Sequence, residues 1–435
     1  MLERLHRLHP FQTPETRRLA TLFAVVYFAQ GMWTLPVQTL TLVLKEQGLS
    51  SAAVADFFLI STIPWLLKPA YGLLSDFVPL FGRRRKSYFL LTSWLASLTG
   101  FALAVSAQHS YWRLALLYTA MGLGLAFTDV LTDAVMVEAG KPRGMTGAFQ
   151  AVQWASISVA TLAIGVLGGE LAERRSLHWT FLIAAGFPLV SFVMAARFLR
   201  EERTGFDAAA LRSTWASIRA AATHRQVWIV AAFIFFYNFN PSFGPAFLYY
   251  QTDVLHFSQR FIGALTSVQA VTGIVGALVY APLSRRVPLK RLIVVSIGLA
   301  VASTLAYLAY VGPVSAVIVD GLWGAASMIV QLCILDLAAK ACPKHVEGTF
   351  FALFASIFNG SVQLSTNVGS RLYDTLGFTP LVLISAALTA LAWLAVPLVK
   401  IDRIEAAARP WRERWSRRLS AASGGRGRDR PRSPG

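Results

Sequence analysis

"TIPWLLKPAYGLLSD", Thr62 to Asp76, is apolar enough for a lipid bilayer or a deep core, yet Lys68 stands in its middle. The rest of the chain decides for the bilayer. Of its 435 residues 55% are hydrophobic and 14% charged, against about 25% charged in soluble domains, and the mean hydropathy is +0.53. Apolar runs of about twenty residues recur along the whole length, separated by short polar loops. A hydrocarbon core about 30 Å thick takes about 20 helical residues to cross, and only helices or closed barrels satisfy their backbone in lipid. The runs are too long for barrel strands, so the fold class is an all-α polytopic membrane protein. The spacing predicts twelve transmembrane helices: 19–43, 51–74, 87–107, 112–138, 146–170 and 179–199, then 226–250, 259–283, 290–311, 315–341, 347–373 and 378–399.

Net charge is +18, which raises nucleic acid as a partner. The distribution of the charge excludes it. With twelve spans in alternation, 33 of the 40 Lys and Arg fall on one side and 6 on the other, with Lys68 inside a span. That asymmetry is the positive-inside pattern of a membrane protein, and it places both termini in the cytoplasm. The expected organisation is a cytoplasmic segment over 1–18, a six-helix bundle over 19–199, a cytoplasmic linker over 200–225, a second bundle over 226–399 and a basic tail over 400–435. The tail ends in "GGRGRDRPRSPG", a composition that stays disordered; its "WRERWSRRL" can lie on anionic lipid. The first apolar run is too long for a cleaved signal and reads as a permanent span. Cys333 and Cys342 have neither metal-ligand spacing nor a disulfide pattern.

The halves look repeated. "LSDFVPL", 74–80, after the second helix matches "LSRRVPL", 283–289, after the eighth. Pro142, Gly147 and Phe149 match Pro343, Gly348 and Phe350 after the fourth and tenth. Two pseudo-symmetric six-helix bundles in parallel orientation are the plan of the major facilitator fold.

Charges within spans are costly to keep and face protein or water. Lys68 lies six residues before the predicted end of its helix, and Asp133 in "TDVLTDAVMVEAG" about as far from the end of the fourth. Six residues is about 9 Å, so a Lys68–Asp133 pair is expected, with Asp129 one face-sharing step deeper. Two carboxylates, one paired and one free, suit proton coupling or substrate contact; a purely structural ion-pair network is the plainer alternative. Asp76, Arg83, Arg84, Arg85, Glu138 and Glu347 gather near helix ends and suit a gate that breaks in one state, unless they are only topogenic charge. The seventh helix carries "FFYNFNPSFGPAFLYY", in which prolines and glycine interrupt the ladder. Its Tyr237, Asn238 and Asn240 are expected to line a cavity with Gln30, Gln150, Gln153, Trp154, Asn359 and Gln363. An aromatic stripe at a proline kink would look similar. No nucleophile, metal or phosphate-loop motif competes, so neither an enzyme nor an ATP-driven pump is indicated and no cofactor is expected.

"PWLLKPAYGLLSDFVPLFGRRRKSY", 64–88, resembles the signature of the folate–biopterin transporter family of the major facilitator superfamily. Pro64, Trp65, Lys68, Pro69, Gly72, Ser75, Asp76, Pro79, Gly82, Arg84 and Arg85 carry the match. "YFAQGM", "LKEQGLSSAAVA", "TDVLTDAVMVEAG" and "CPKHVEGTFFALFASIFNG" are similar to other parts of the family, so that the likeness covers about 20–400. The resemblance implies a secondary transporter taking up folates or pterins with protons by alternating access, in a cytoplasmic or plasma membrane, with a small molecule, protons and lipid as partners and a monomer as the unit. A pterin's donor-rich edge would suit Asp129 or Asp133. The glutamate tail of folate would want a cation, and Lys68 is the one well inside a span, so protein and substrate carboxylates compete for it. A facilitator or exporter of another small organic solute, and a receptor or scaffold that kept the fold without transport, are the alternatives.

Overall fold

The computed structural model describes residues 11–106, 110–140, 143, 145–343 and 346–408. The expected tail behaviour beyond 408, and Pro142 of the repeat, lie outside the described residues. Twelve helical segments follow one another: α1 Pro14–Glu46, α2 Ser51–Phe77, α3 Lys86–Ala104, α4 Tyr111–Gly140, α5 Thr146–Glu173 and α6 Leu177–Phe198. After a linker helix, Ala208–Ala222, come α7 in pieces (Arg225–Asn238, Gly244–Tyr249 and a wide turn Tyr250–Val254), α8 Gln259–Arg286, α9 Leu289–Ala309, α10 Pro313–Ala341, α11 Glu347–Leu376 and α12 Phe378–Leu398. Among the described residues ten of the twelve are long and apolar enough to cross a membrane; α7 and α11 are not among them. The first is broken, and the second carries a polar ladder from Ser356 to Arg371.

The second helix of each half starts on the same device. Ser50 accepts a hydrogen bond from the Ala53 amide before α2, and Ser258 from the Phe261 amide before α8, each 3.3 Å. A serine N-cap satisfies a donor that the first helical turn leaves free. Outward faces expose Leu98, Leu116, Val166, Leu278, Val295 and Leu394, a surface that only lipid tolerates on this scale. The inner faces form separate cores. One joins Phe23, Phe89, Leu131 and Phe149 of the first half, and another Ile234, Ile293, Leu337 and Phe354 of the second.

The loops that join even helices to odd ones lie at one end, with the linker helix and the Arg83–Lys86 run; that end is the basic end. The far end joins odd helices to even ones. There α5 and α8 approach so closely that a Cβ on Gly263 would lie 2.2 Å from the Gly165 carbonyl oxygen.

The break in α7 has a physical repair. Phe239 to Phe243 leave the helix, and α11 supplies the missing partners. Ser361 Oγ donates to the Phe235 carbonyl at 2.5 Å, Ser365 Oγ to the Asn240 carbonyl, and the Ser242 amide to the Ser365 carbonyl at 3.2 Å. Irregular backbone at membrane depth persists where protein satisfies it in this way. Close approach requires glycine at two points: a Cβ on Gly369 would lie 1.9 Å from the Ser242 carbonyl oxygen, and Gly244 has φ +43 against Thr366. Gly369→Val is therefore expected to cost several kcal/mol, beyond the ~1–3 of ordinary overpacking because the obstacle is backbone. Thermal denaturation in detergent should show a clear drop in Tm, whereas Gly348→Ala, with open space around it, should change it little.

Candidate functional site

Lys68 sits at a second helix break. Pro64 removes an amide from the ladder, Leu67 leaves helical geometry, and the helix restarts at Lys68 with Pro69 in its first turn. The restart turns the lysine toward α4. Its Nζ lies 2.6 Å from Asp129 Oδ2 and 4.9 Å from the centre of the Trp65 ring. Both side chains are nearly excluded from solvent, 13% and 6% exposed. Asp133 instead accepts a short hydrogen bond from the Tyr27 hydroxyl and a long one, 3.5 Å, from Gln153 Nε2.

The expected Lys68–Asp133 pair is thus corrected to Lys68–Asp129. Depth could not have decided it. The helices run on to Phe77 and Gly140, so Lys68 lies nine residues from its end, between Asp129 at eleven and Asp133 at seven. The kink at Leu67, which sets the face, made the choice.

These groups line a cavity of about 580 Å³ between the halves. Gln30, Gln150, Gln153 and Trp154 of the first half and Asn359 of the second also face it, as the sequence suggested. The remaining expected lining residues do not. Tyr237, Asn238 and Asn240 line a smaller space of about 200 Å³ within the second half. There Tyr237 bonds Ser296 at 2.5 Å, Asn238 donates to the Ile234 carbonyl and Asn240 to Thr389. Their polar atoms are taken up by partners within that half. Gln363 faces a third space, about 480 Å³, nearer the far end beside Trp33, Phe58 and Tyr118.

Three groups on the opposite wall escaped sequence reasoning. Asp336 and Lys340 of α10 pair at 2.7 Å, and the Tyr280 hydroxyl reaches Asp336 at 3.4 Å. All three line the main cavity, so Lys68 is not the only cation within it. The i, i+4 spacing of an acid and a lysine was a legible signal, but spacing along one helix does not say that the pair faces the cavity. Asp320, fully buried, accepts from Tyr307, Tyr310 and Gln269 at 2.8–3.0 Å and was also missed.

Ser284 and Lys340, in the last turns of α8 and α10, carry the cavity to the basic end. The far end is sealed across the halves. Lys45 pairs with Asp253, Arg260 with Glu170 at 2.6 Å, and Arg371 with Asp56 at 2.7 Å. Asp374 receives Ser51 Oγ at 2.7 Å and the Ala52 amide at 2.9 Å. Sequence reasoning counted Lys45, Arg260 and Arg371 only among the six basic residues of the minority side and passed over their acidic partners; the structure makes them the contact between halves.

The charges expected as a gate behave differently. Arg85 bonds Ser75 at 2.7 Å and Glu138 at 2.9 Å and pairs with Asp76, all in the first half. Glu201, which sequence reasoning passed over, takes the amides of Arg84, Arg85 and Lys86 at 2.8–3.0 Å and so caps α3. Arg83, Arg84 and Glu347 form no ion pair among the described residues.

The pairing predicts a stability pattern. Lys68→Met leaves Asp129 buried without its cation and should cost ~3–5 kcal/mol. The double variant Lys68→Met/Asp129→Asn should recover most of it in thermal denaturation. Recovery by Lys68→Met/Asp133→Asn instead would contradict the observed partner.

The family model described as the BT1 family matches residues 28–394. A folate-biopterin transporter of Synechocystis is 31% identical over 81% of this chain and 74% of its own length. Folate transporter 1 of Plasmodium falciparum is 22% identical over 82% of this chain and 73% of its own. Among solved structures, a D-xylose–proton symporter superposes with TM-score 0.66 at 14% identity over 88% of this chain and 98% of its own, and the peptide transporter POT with 0.68 at 15% over 92% and 99%. At such identities those two speak for the fold, which is that of the major facilitators. The chain belongs to the BT1 family, the folate–biopterin transporters, and is an integral membrane transporter.

Proposed function

We propose that this protein takes up folate- or pterin-type compounds together with protons, by alternating access. The observation that carries the reading is a cavity in which three carboxylates converge, between two halves fastened to each other at the far end and open at the basic end. By the 33 to 6 distribution of Lys and Arg, the basic end is cytoplasmic, as are both termini, and the conformation is the one that would release an imported solute. The membrane is the cytoplasmic or plasma membrane, and the unit is a monomer.

Each acid has a different part. Asp129 is held by Lys68, so its proton exchange means breaking an ion pair. Asp133 faces Tyr27 on α1 and Gln153 on α5, both neutral, and shares its helix face with Asp129. It can gain a proton from cavity water while keeping both neighbours, which suits it to the coupling role. Trp154 and Phe358 both stand on the cavity wall and offer flat faces to a ring, and the amino-bearing edge of a pterin can donate to a carboxylate there. The resemblance to the folate-biopterin transporter of Synechocystis supports this solute class.

In the opposite state the far-end pairs separate and the basic end closes. Glu347, exposed at the start of α11, then meets Arg83 or Arg84, while the Asp76–Arg85–Glu138 cluster keeps α2 and α4 together.

Uptake of labelled folate and of a simple pterin into proteoliposomes tests this reading. Accumulation should require an inward proton gradient. Asp133→Asn should abolish gradient-driven accumulation while solute exchange without a gradient persists. Accumulation indifferent to the gradient would remove the proton; absence of flux for both solutes would remove the substrate class. At the gate, Asp56→Asn combined with Asp253→Asn should raise the labelling of a cysteine placed at Gln363 by a membrane-impermeant thiol reagent added from the far side. Unchanged labelling would remove those pairs from the seal.

A further inference from the structure

Lys68 is the residue one would first give to a substrate carboxylate, and its surroundings argue against it. Its ammonium is committed to Asp129 on another helix and lies over Trp65, and its side chain, though on the cavity wall, is only 13% exposed. Drawing it away would leave a buried carboxylate unpaired, at a cost no single substrate contact recovers. Lys340 differs on each count. It lines the same cavity from the opposite wall, its side chain is 25% exposed, and its partner Asp336 is 26% exposed. The two lie on one helix at i, i+4, so a change of lysine rotamer parts them without moving any helix. A pair within one helix that borders open cavity is screened more than one closed between two helices, so it parts more readily. Once Lys340 leaves, Asp336 keeps the Tyr280 hydroxyl and cavity water.

Position adds a second argument. Lys340 is in the last turn of α10 at the cavity mouth, whereas Asp133 lies seven residues, about 10 Å, inside its helix end. A molecule whose ring lies by Asp133 and Trp154 would therefore extend its other end toward Lys340.

We propose that Lys340 is the specificity-determining cation for a carboxylate-bearing tail, and that Asp336 is an internal competitor which holds the lysine until such a tail arrives. The assignment rests on the folate or pterin reading above and names the residue that separates the two solutes. Asp336 also guards against non-specific anions: an anion without a ring to anchor it must displace a carboxylate that is already in place.

The test is equilibrium binding of folate and of a simple pterin lacking the glutamyl tail, to purified protein in detergent. Lys340→Met should weaken folate at least tenfold more than it weakens the pterin, and Lys340→Arg should restore most of the difference. Asp336→Asn, which removes the competitor, should tighten folate several-fold relative to the pterin. If Lys340→Met destabilises the fold by stranding Asp336, the double variant Lys340→Met/Asp336→Asn removes both charges and should still have lost the preference for the tail. Equal loss of both ligands, or a preference for folate that survives in the double variant, overturns the role of Lys340 alone. Binding of neither ligand by the unaltered protein overturns the substrate class as well.

Discussion

A charge inside a bilayer must find an opposite charge, a set of donors or water, and the interior of this protein is arranged around that demand. Lys68 and Asp129 meet it by pairing across α2 and α4. Asp133 meets it with neutral donors from α1 and α5. Asp336 and Lys340 meet it with each other and with the cavity they line. The three solutions grade from closed to open, and so do the uses they suit. A closed pair fixes helices, a carboxylate among neutral donors can exchange a proton, and an accessible pair can exchange partners.

The same demand explains the helix breaks. Pro64 and Pro69 flank the point where α2 turns Lys68 to α4, and the irregular backbone of α7 survives because serines of α11 satisfy it. α11 thus makes contacts both within its half and across to the other. It mends α7 within its own half and reaches α2 of the other through Asn367, Arg371 and Asp374. Under the proposed alternating access, a movement of one half against the other would break those contacts and leave the serine repairs, which lie within one half, intact.

Glycine sets how near the halves can come. At Gly165 and Gly263, α5 and α8 touch through backbone, and side chains of Glu170, Arg260 and Asp56 close the same end. Close packing and the ion pairs that cross between the halves are concentrated there, which leaves the basic end as the side where the cavity opens.

The number of spans, the bias of charge to one side, the repeat and the family were legible in the chain, because each depends on composition or on order along it. Twenty apolar residues mean a helix in lipid whatever the neighbours are, and an 11-position motif around Lys68 survives without coordinates. Rotation of helices, and which half a residue faces, were not legible. The partner of Lys68 depended on a kink at Leu67 that shifts its face. The fate of Tyr237, Asn238 and Asn240 depended on which side of a broken helix turned inward, and that of Lys340 on whether a lysine near a helix end looks to solvent or into a cavity. Spacing along one helix fixes relative angles, but absolute orientation comes from packing against other helices, and only the tertiary structure holds that information.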